Sequence, residues 1–267
     1  MRIPLLLTAL LSLVLFTACS SVSYNPTVFD YFIAKDELKK TPVKKVIIAS
    51  VNVTGEPTRS ILRDSVPKID GMVIDYLKSN GYEIAPQHLF NNAWQQALLN
   101  YGDFYDPTTG KVDTVGWQRV MATTFQSLQE HKDIDAVLFT DVIAHDVQHS
   151  SSMKHYARWY GVTREPATEG ASSSVPIDFN WTQIIKGASL VITMYATDGR
   201  PLFASRGGMD TLHAIDTRKS QKGFVRRKKI LSNSSRIEEG IELAFHPLIK
   251  MSGYPGPEKP EKKDKSQ

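Results

Sequence analysis

At 267 residues and 41% apolar content, the chain is long enough for one large hydrophobic core and has an ordinary globular composition. Its single cysteine excludes an internal disulfide and a multi-thiolate metal site, so stability has to come from packing. The formal charge of +4 is modest and uneven, gathered in Arg218, Lys219, Lys222, Arg226, Arg227, Lys228 and Lys229 and in a Lys-rich tail after Pro255; that pattern is a solvated face or a contact with an anionic polymer or headgroup.

The run Leu15-Phe16-Thr17-Ala18-Cys19 closes an apolar stretch that starts at Leu5, behind the positive Arg2. A charged start, an apolar centre and small residues before a lone cysteine together resemble a bacterial lipoprotein signal. The stretch is shorter than the about 20 apolar residues of a membrane-spanning helix. The expectation is a signal peptide over 1–18, with Cys19 as the lipidated first mature residue. Two or more acyl chains anchor a protein stably, because each buried methylene contributes about 0.8 kcal/mol. Ser20, where an aspartate would retain a Gram-negative lipoprotein at the inner membrane, implies the periplasmic face of the outer membrane. Nucleic acid is excluded as a partner by that compartment.

Residues 19–42 read as a lipidated linker whose Phe29, Tyr31 and Phe32 pack on the domain. Val43 to Val53 reads as the first strand, since Val46-Ile47-Ile48 is a continuous apolar run of the kind central strands carry. Ile61, Leu62, Ile69, Met72, Val73, Tyr76 and Leu77 recur at helical spacing, with Pro67 delaying or kinking the helix and Asn80-Gly81 ending it. Tyr82 to Pro86 reads as a short strand that stops at Pro86 or lies at an edge, Gln87 to Leu99 as a helix, and Tyr101 to Gly110 as a turn-rich loop. Val115 to Glu130 is helical, with Trp117, Val120, Met121, Phe125 and Leu128 on one core-facing stripe. Asp135 to Val142 is the clearest strand and extends towards Val147. Gln148 to Asn180, rich in Ser, Gly and Pro, reads as an insertion. Trp181 to Thr197 returns to strand character, and Asp198-Gly199 predicts a hairpin into Pro201 to Ser205. A last helix is expected from Ser234 to about Met251, followed by a disordered tail over 252–267.

Strands alternating with helices early and a hairpin late predict an α/β fold: a single domain over 43–251, built as a two- or three-layer sandwich on a mixed sheet of about five strands flanked by helices. The opening Val-Ile-Ile strand near Asn52-Val53-Thr54, the Asn80-Gly81-Tyr82-Glu83-Ile84-Ala85-Pro86 segment, the Asp135 to Phe139 strand and the hairpin around Thr197-Asp198-Gly199-Arg200 come in a suggestive order. Behind a lipidated cysteine, that order resembles periplasmic lipoproteins of the CsgG and LpoB kind, whose α/β fold is shared with the amino-terminal domain of TolB. The insertion over 148–180 is not part of the pattern. The resemblance implies a non-enzymatic binding or assembly protein without a cofactor. Its partner would be an envelope protein of peptidoglycan synthesis or secretion, and the alternative is a homo-oligomer resembling a secretion channel.

Asp141, His145 and His149 form, with Asp146 and His155, the densest set of metal-ligand types. Strung along a strand, they cannot converge on one ion without a bend, so surface histidines at a strand end are the preferred reading and a metal-dependent hydrolase the minor one. No serine lies in a nucleophile elbow, and no Gly-rich phosphate loop precedes a lysine. Arg206-Gly207-Gly208 marks a bulge or a close backbone approach. The carboxylate pairs Asp103/Asp106 and Asp133/Asp135 border turns, where they make local hydrogen bonds. The functional expectation falls on the insertion, whose Tyr156, Trp159, Tyr160, Phe179 and Trp181 stand among Lys154, Arg158 and Arg164. Tyr156, Arg158, Trp159 and Tyr160 are the expected partner-binding residues, on an extended hairpin or mobile loop, together with the basic segment Arg226, Arg227, Lys228 and Lys229. A membrane-inserting hairpin is disfavoured, because Thr163 to Ser174 is too polar for a spanning strand.

Overall fold

Val46, Ile47, Ile48 and Ala49 are all buried, and they alternate between two different hydrophobic clusters. That alternation is the signature of a strand covered on both faces. The computed structural model describes residues 31–49, 51, 60–104, 112–151, 154–170, 175, 177, 179–217 and 223–251, all within the unit Asn25–Met251. In chain order the elements are β1 (Phe32–Ile33), α1 (Lys35–Lys40), β2 (Lys45–Ala49), α2 (Ser60–Arg63), α3 (Val66–Ser79), β3 (Glu83–Ile84), α4 (Gln87–Tyr101) and α5 (Thr114–Leu128). They continue as β4 (Ala136–Gln148), β5 (Ala157–Trp159), β6 (Val162–Arg164), β7 (Thr168–Glu169), β8 (Ile184–Ala196), β9 (Pro201–Thr211), β10 (His213–Asp216), β11 (Phe224–Arg226) and α6 (Ser234–Phe245).

The main sheet has six strands in the order β1-β9-β8-β4-β2-β3. β2 runs parallel to β3 and β4, whereas β4, β8, β9 and β1 pair antiparallel. The fold is therefore α/β on a mixed sheet, with one strand more than the sequence suggests. One face packs Val46, Ile48, Leu138 and Ile192 against Ile69 and Val73 of α3 and Ile237 and Ile241 of α6. The other packs Ile47, Val137 and Phe139 against Phe90 and Trp94 of α4 and Val120 and Phe125 of α5. This is a three-layer sandwich, and each fully buried side chain such as Phe139 contributes about 1.5–3 kcal/mol. Among the described residues no helix is long and apolar enough to cross a membrane.

Local chemistry explains most boundaries. Pro67 sits in the first turn of α3, where the missing N–H costs nothing, and a turn at Asp64-Ser65 separates α3 from α2. At its other end Tyr82 N–H donates to the Leu77 carbonyl and Gly81 N–H to that of Lys78, with Gly81 at φ +84°: a Schellman cap. Asn233 caps α6 by accepting the Arg236 N–H. That helix stops at Phe245, short of the expected Met251, because Pro247 cannot continue it. The folded unit also starts earlier than expected. β1 and α1 lie in the stretch read as linker, with Phe32 and Ile33 paired to Ala204 and Phe203 of β9. Tyr31 and Phe32, expected to pack on the domain, stay half exposed, and Ile33 packs on the core instead. Phe29, the Asn52 to Thr54 segment, Asp106, the signal segment with Cys19 and the tail lie outside the described residues.

β9 meets α6 through glycines. A Cβ on Gly207 would come within 1.9 Å of the Gly240 carbonyl oxygen, and one on Gly240 within 2.8 Å of the Gly208 oxygen. Just beyond, Gly187 pairs with Thr211 and Ser189 with Gly208, which leaves Met209 and Asp210 opposite Ala188 alone. The expected close approach and a bulge are thus both present, side by side.

Candidate functional site

In place of the expected extended hairpin or mobile loop, the described residues of the insertion include a hairpin packed into the unit. β5 and β6 form a hairpin turning at Tyr160-Gly161, whose Ala157, Trp159 and Val162 are buried, as is Phe179 further along. Arg164 at the end of β6 is buried too; its Nε donates to the Met209 carbonyl at 2.7 Å and its Nη2 pairs with Glu239 of α6 at 2.6 Å. β7 joins β10 and β11 in a separate three-stranded sheet. Hence the insertion and the basic segment, far apart in sequence, share one sheet, and the Lys228 N–H donates to Glu169 Oε1 at 2.8 Å.

Six of the eight expected partner-binding side chains reach the surface, and two do not. Arg158 and Lys154 flank the Tyr156 ring at 6.0 and 5.9 Å, and Arg206 lies 5.5 Å from the Tyr160 ring while donating to its hydroxyl at 3.0 Å. Such cation–π pairs hold aromatic faces and guanidinium groups in fixed positions. Arg226, Lys228 and Lys229 are exposed. Trp159, by contrast, is only 6% exposed and belongs to the core. Arg227 turns inward, where its Nη1 pairs with Asp210 at 2.6 Å and donates to the Thr211 carbonyl at 2.9 Å.

The strand-end histidines also differ from a surface set. Asp141, His145 and His149 run along β4 and its continuation, facing Val191, Gly187 and Ala157. Among the described residues no three metal-ligand side chains come together. His145 Nε2 lies 2.7 Å from Ser189 Oγ, which also accepts the Trp159 indole N–H at 3.1 Å. Ser189 escaped the sequence reading, as nothing marks it among strand residues. It is fully buried, so the serine–histidine pair ties β4 to β8 and the Trp159 bond ties β5 to β8, with no approach for a carbonyl substrate. The carboxylates Asp133 and Asp135 do not make the expected local bonds but reach the start of β2, where Asp135 Oδ2 accepts the Lys44 and Lys45 N–H groups and Asp133 pairs with the Lys45 ammonium.

His149 is 3% exposed, and neither ring nitrogen has a hydrogen-bond partner. Its ring stacks on Phe224 at 5.2 Å in a cluster that includes Phe179 and Trp181. Burial, and secondarily the charge of His155, push its pKa down to about 4. The folded value lies below the unfolded 6.5, so the unfolded chain takes up the proton first on acidification. Stability from this site is complete above about pH 6.5 and falls by about 3 kcal/mol by pH 4. Urea midpoints measured at pH 7.5 and 4 should show that loss in the wild type and not in His149→Leu; identical acid limbs would overturn the account.

Beside the cluster opens a cleft of about 570 Å³, lined by Lys154 and His155, by Glu165, Pro166 and Thr168, and by Val175, Ile177 and Trp181. His155 lies flat on Trp181 with ring centroids 3.5 Å apart. Its Nδ1 is 3.0 Å from the Ser150 carbonyl, so that nitrogen carries the hydrogen. The cleft thus combines a carboxylate, an ammonium, an oriented imidazole and apolar surface, a composition suited to binding. No family model matches the chain, nor does any curated protein or solved structure.

Proposed function

We propose that the chain is a lipid-anchored lipoprotein of the CsgG and LpoB kind, held by Cys19 at the periplasmic face of the outer membrane, and that it acts by binding another envelope component. The observation that carries the reading is the insertion: an element outside the family pattern, tied down by buried contacts, that offers Tyr156 with Arg158 and Tyr160 with Arg206 at its surface. Tyrosine and arginine are the residue types that dominate the energetics of protein interfaces. The exposed Arg226, Lys228 and Lys229 on the neighbouring segment add an electrostatic component that salt should weaken.

The anchor is tested by Cys19→Ala, which should move the protein from the membrane to the soluble fraction and abolish labelling by an alkyne fatty acid. Persistent membrane association would remove the lipoprotein reading. Binding is tested by cross-linking in living cells, comparing the wild type with Arg158→Glu/Arg206→Glu. Point reversals are preferable to deleting 148–180, which would strip Trp159, Val162 and Phe179 from the core. A cross-linked envelope protein that disappears in the variant supports the reading; self-cross-links alone would favour the oligomeric alternative.

A further inference from the structure

We infer that the cleft in the insertion takes an extended peptide segment of the partner protein, laid along β7, with a basic side chain towards Glu165, an acidic one towards Lys154 and an apolar one against Pro166 and Ile177. The inference rests on the binding reading above and adds the site and the chemistry of its occupant.

β7 lies at the edge of its three-stranded sheet, bonded to β10 on one side. The Ala167 and Glu169 carbonyls accept the Ile215 and Thr217 N–H groups, both at 2.8 Å. Successive residues of a strand direct their backbone groups to opposite sides, so Thr168 between them aims its N–H and carbonyl away from β10. Thr168 also lines the cleft. An edge with a free donor and acceptor beside side-chain pockets is the arrangement that recruits an additional strand.

The charges specify what that strand carries. Glu165 and Lys154 are exposed and line the same cleft, yet among the described residues neither has an ion-pair partner. The Nε2 of His155, opposite the hydrogen-bearing Nδ1, is a polar group at the cleft that a peptide backbone group can meet. Ile177, which lines the cleft, is fully exposed, an apolar surface that a side chain would cover. A sugar ring would use an open aromatic face, but Trp181 is stacked under His155 and has further contacts with Phe179 and Phe224.

The test is panning of random octapeptides displayed on phage against the purified full chain in detergent, alongside Glu165→Lys/Lys154→Glu. The wild type should enrich peptides that carry a base and an acid flanking an apolar residue, and the double variant peptides with the two charges exchanged. A selected peptide should lose about tenfold in affinity on either single reversal and recover when its own charges are swapped against the double variant. No enrichment, or the same sequences from both proteins, overturns the inference. Binding of an N-acetylglucosamine hexamer with no peptide enriched overturns it in favour of a glycan. A cellular cross-link lost in Arg158→Glu/Arg206→Glu but kept in the cleft variant sinks the cleft alone, whereas the absence of any partner cross-link sinks the binding reading itself.

Discussion

Asp210→Ala should destabilise the folded unit by about 3–5 kcal/mol, a fall in Tm on the order of 10 °C for a domain of this size. Asp210 is 1% exposed and receives two guanidinium groups, Arg227 at 2.6 Å and Arg236 at 2.5 Å, while its Oδ1 also accepts the Thr211 N–H at 2.8 Å. Removing the carboxylate leaves two cations facing one another where one of them, Arg227, is largely buried. Breaking a buried pair costs more than forming it contributes, because the remaining charge stays desolvated. Arg236→Met should cost less than Arg227→Met, since the Arg236 side chain is a third exposed and water solvates part of it. Urea denaturation of the three variants gives the order directly. A cost below about 1 kcal/mol for Asp210→Ala would mean that the arginines swing out to solvent and the carboxylate holds nothing.

The consequence reaches the proposed binding surface. Arg227 belongs to the basic segment after β11, and Arg236 to α6, so Asp210 fastens that segment to the helical layer. Arg164 and Glu239 fasten β6 to the same helix. A variant lacking Asp210 should therefore lose binding at the basic segment even under conditions where the sheet itself remains folded.

The legible parts of the fold are those where one segment carries its own periodicity. Val46 to Ala49 announces a doubly covered strand, and Asp198-Gly199 a hairpin, from residues adjacent in sequence. The two residues of β1 have no period to read, and α1 buries nothing, so both vanish into an apparent linker. Trp159 in a Ser-rich stretch looks like a surface aromatic; only the hydrogen bond to Ser189, thirty residues away, shows it to be core. Arg227 is indistinguishable from its three basic neighbours until the bulge at Met209 and Asp210 places a buried carboxylate beside it. The candidate cleft was half visible. Lys154 and Trp181 stood out by composition, whereas Glu165 and Thr168 acquire meaning only through the pairing of β7 with β10.

Gly207→Ala should be the most damaging glycine-to-alanine substitution among the described residues, costing at least about 4 kcal/mol. The added Cβ would lie 1.9 Å from the Gly240 carbonyl oxygen and 2.7 Å from the Ala244 nitrogen, both backbone atoms of α6. A flexible side chain could rotate aside, but relief here requires the helix to lift from β9. That movement would open the contact made by Ile237, Ile241 and Phe245 with the sheet, all of them buried. It would also pull Glu239 and Arg236 away from Arg164 and Asp210, so packing and ion pairs fail together. Gly71→Ala provides the contrast, because its Cβ would meet nothing within 4 Å inside α3 and alanine favours the helix by about 0.5–1 kcal/mol. Paired thermal melts should move in opposite directions, down for Gly207→Ala and up for Gly71→Ala. If Gly207→Ala melts within a degree or two of the wild type, α6 does not sit on β9 at this distance, and the anchoring of the insertion through Glu239 has to be abandoned with it.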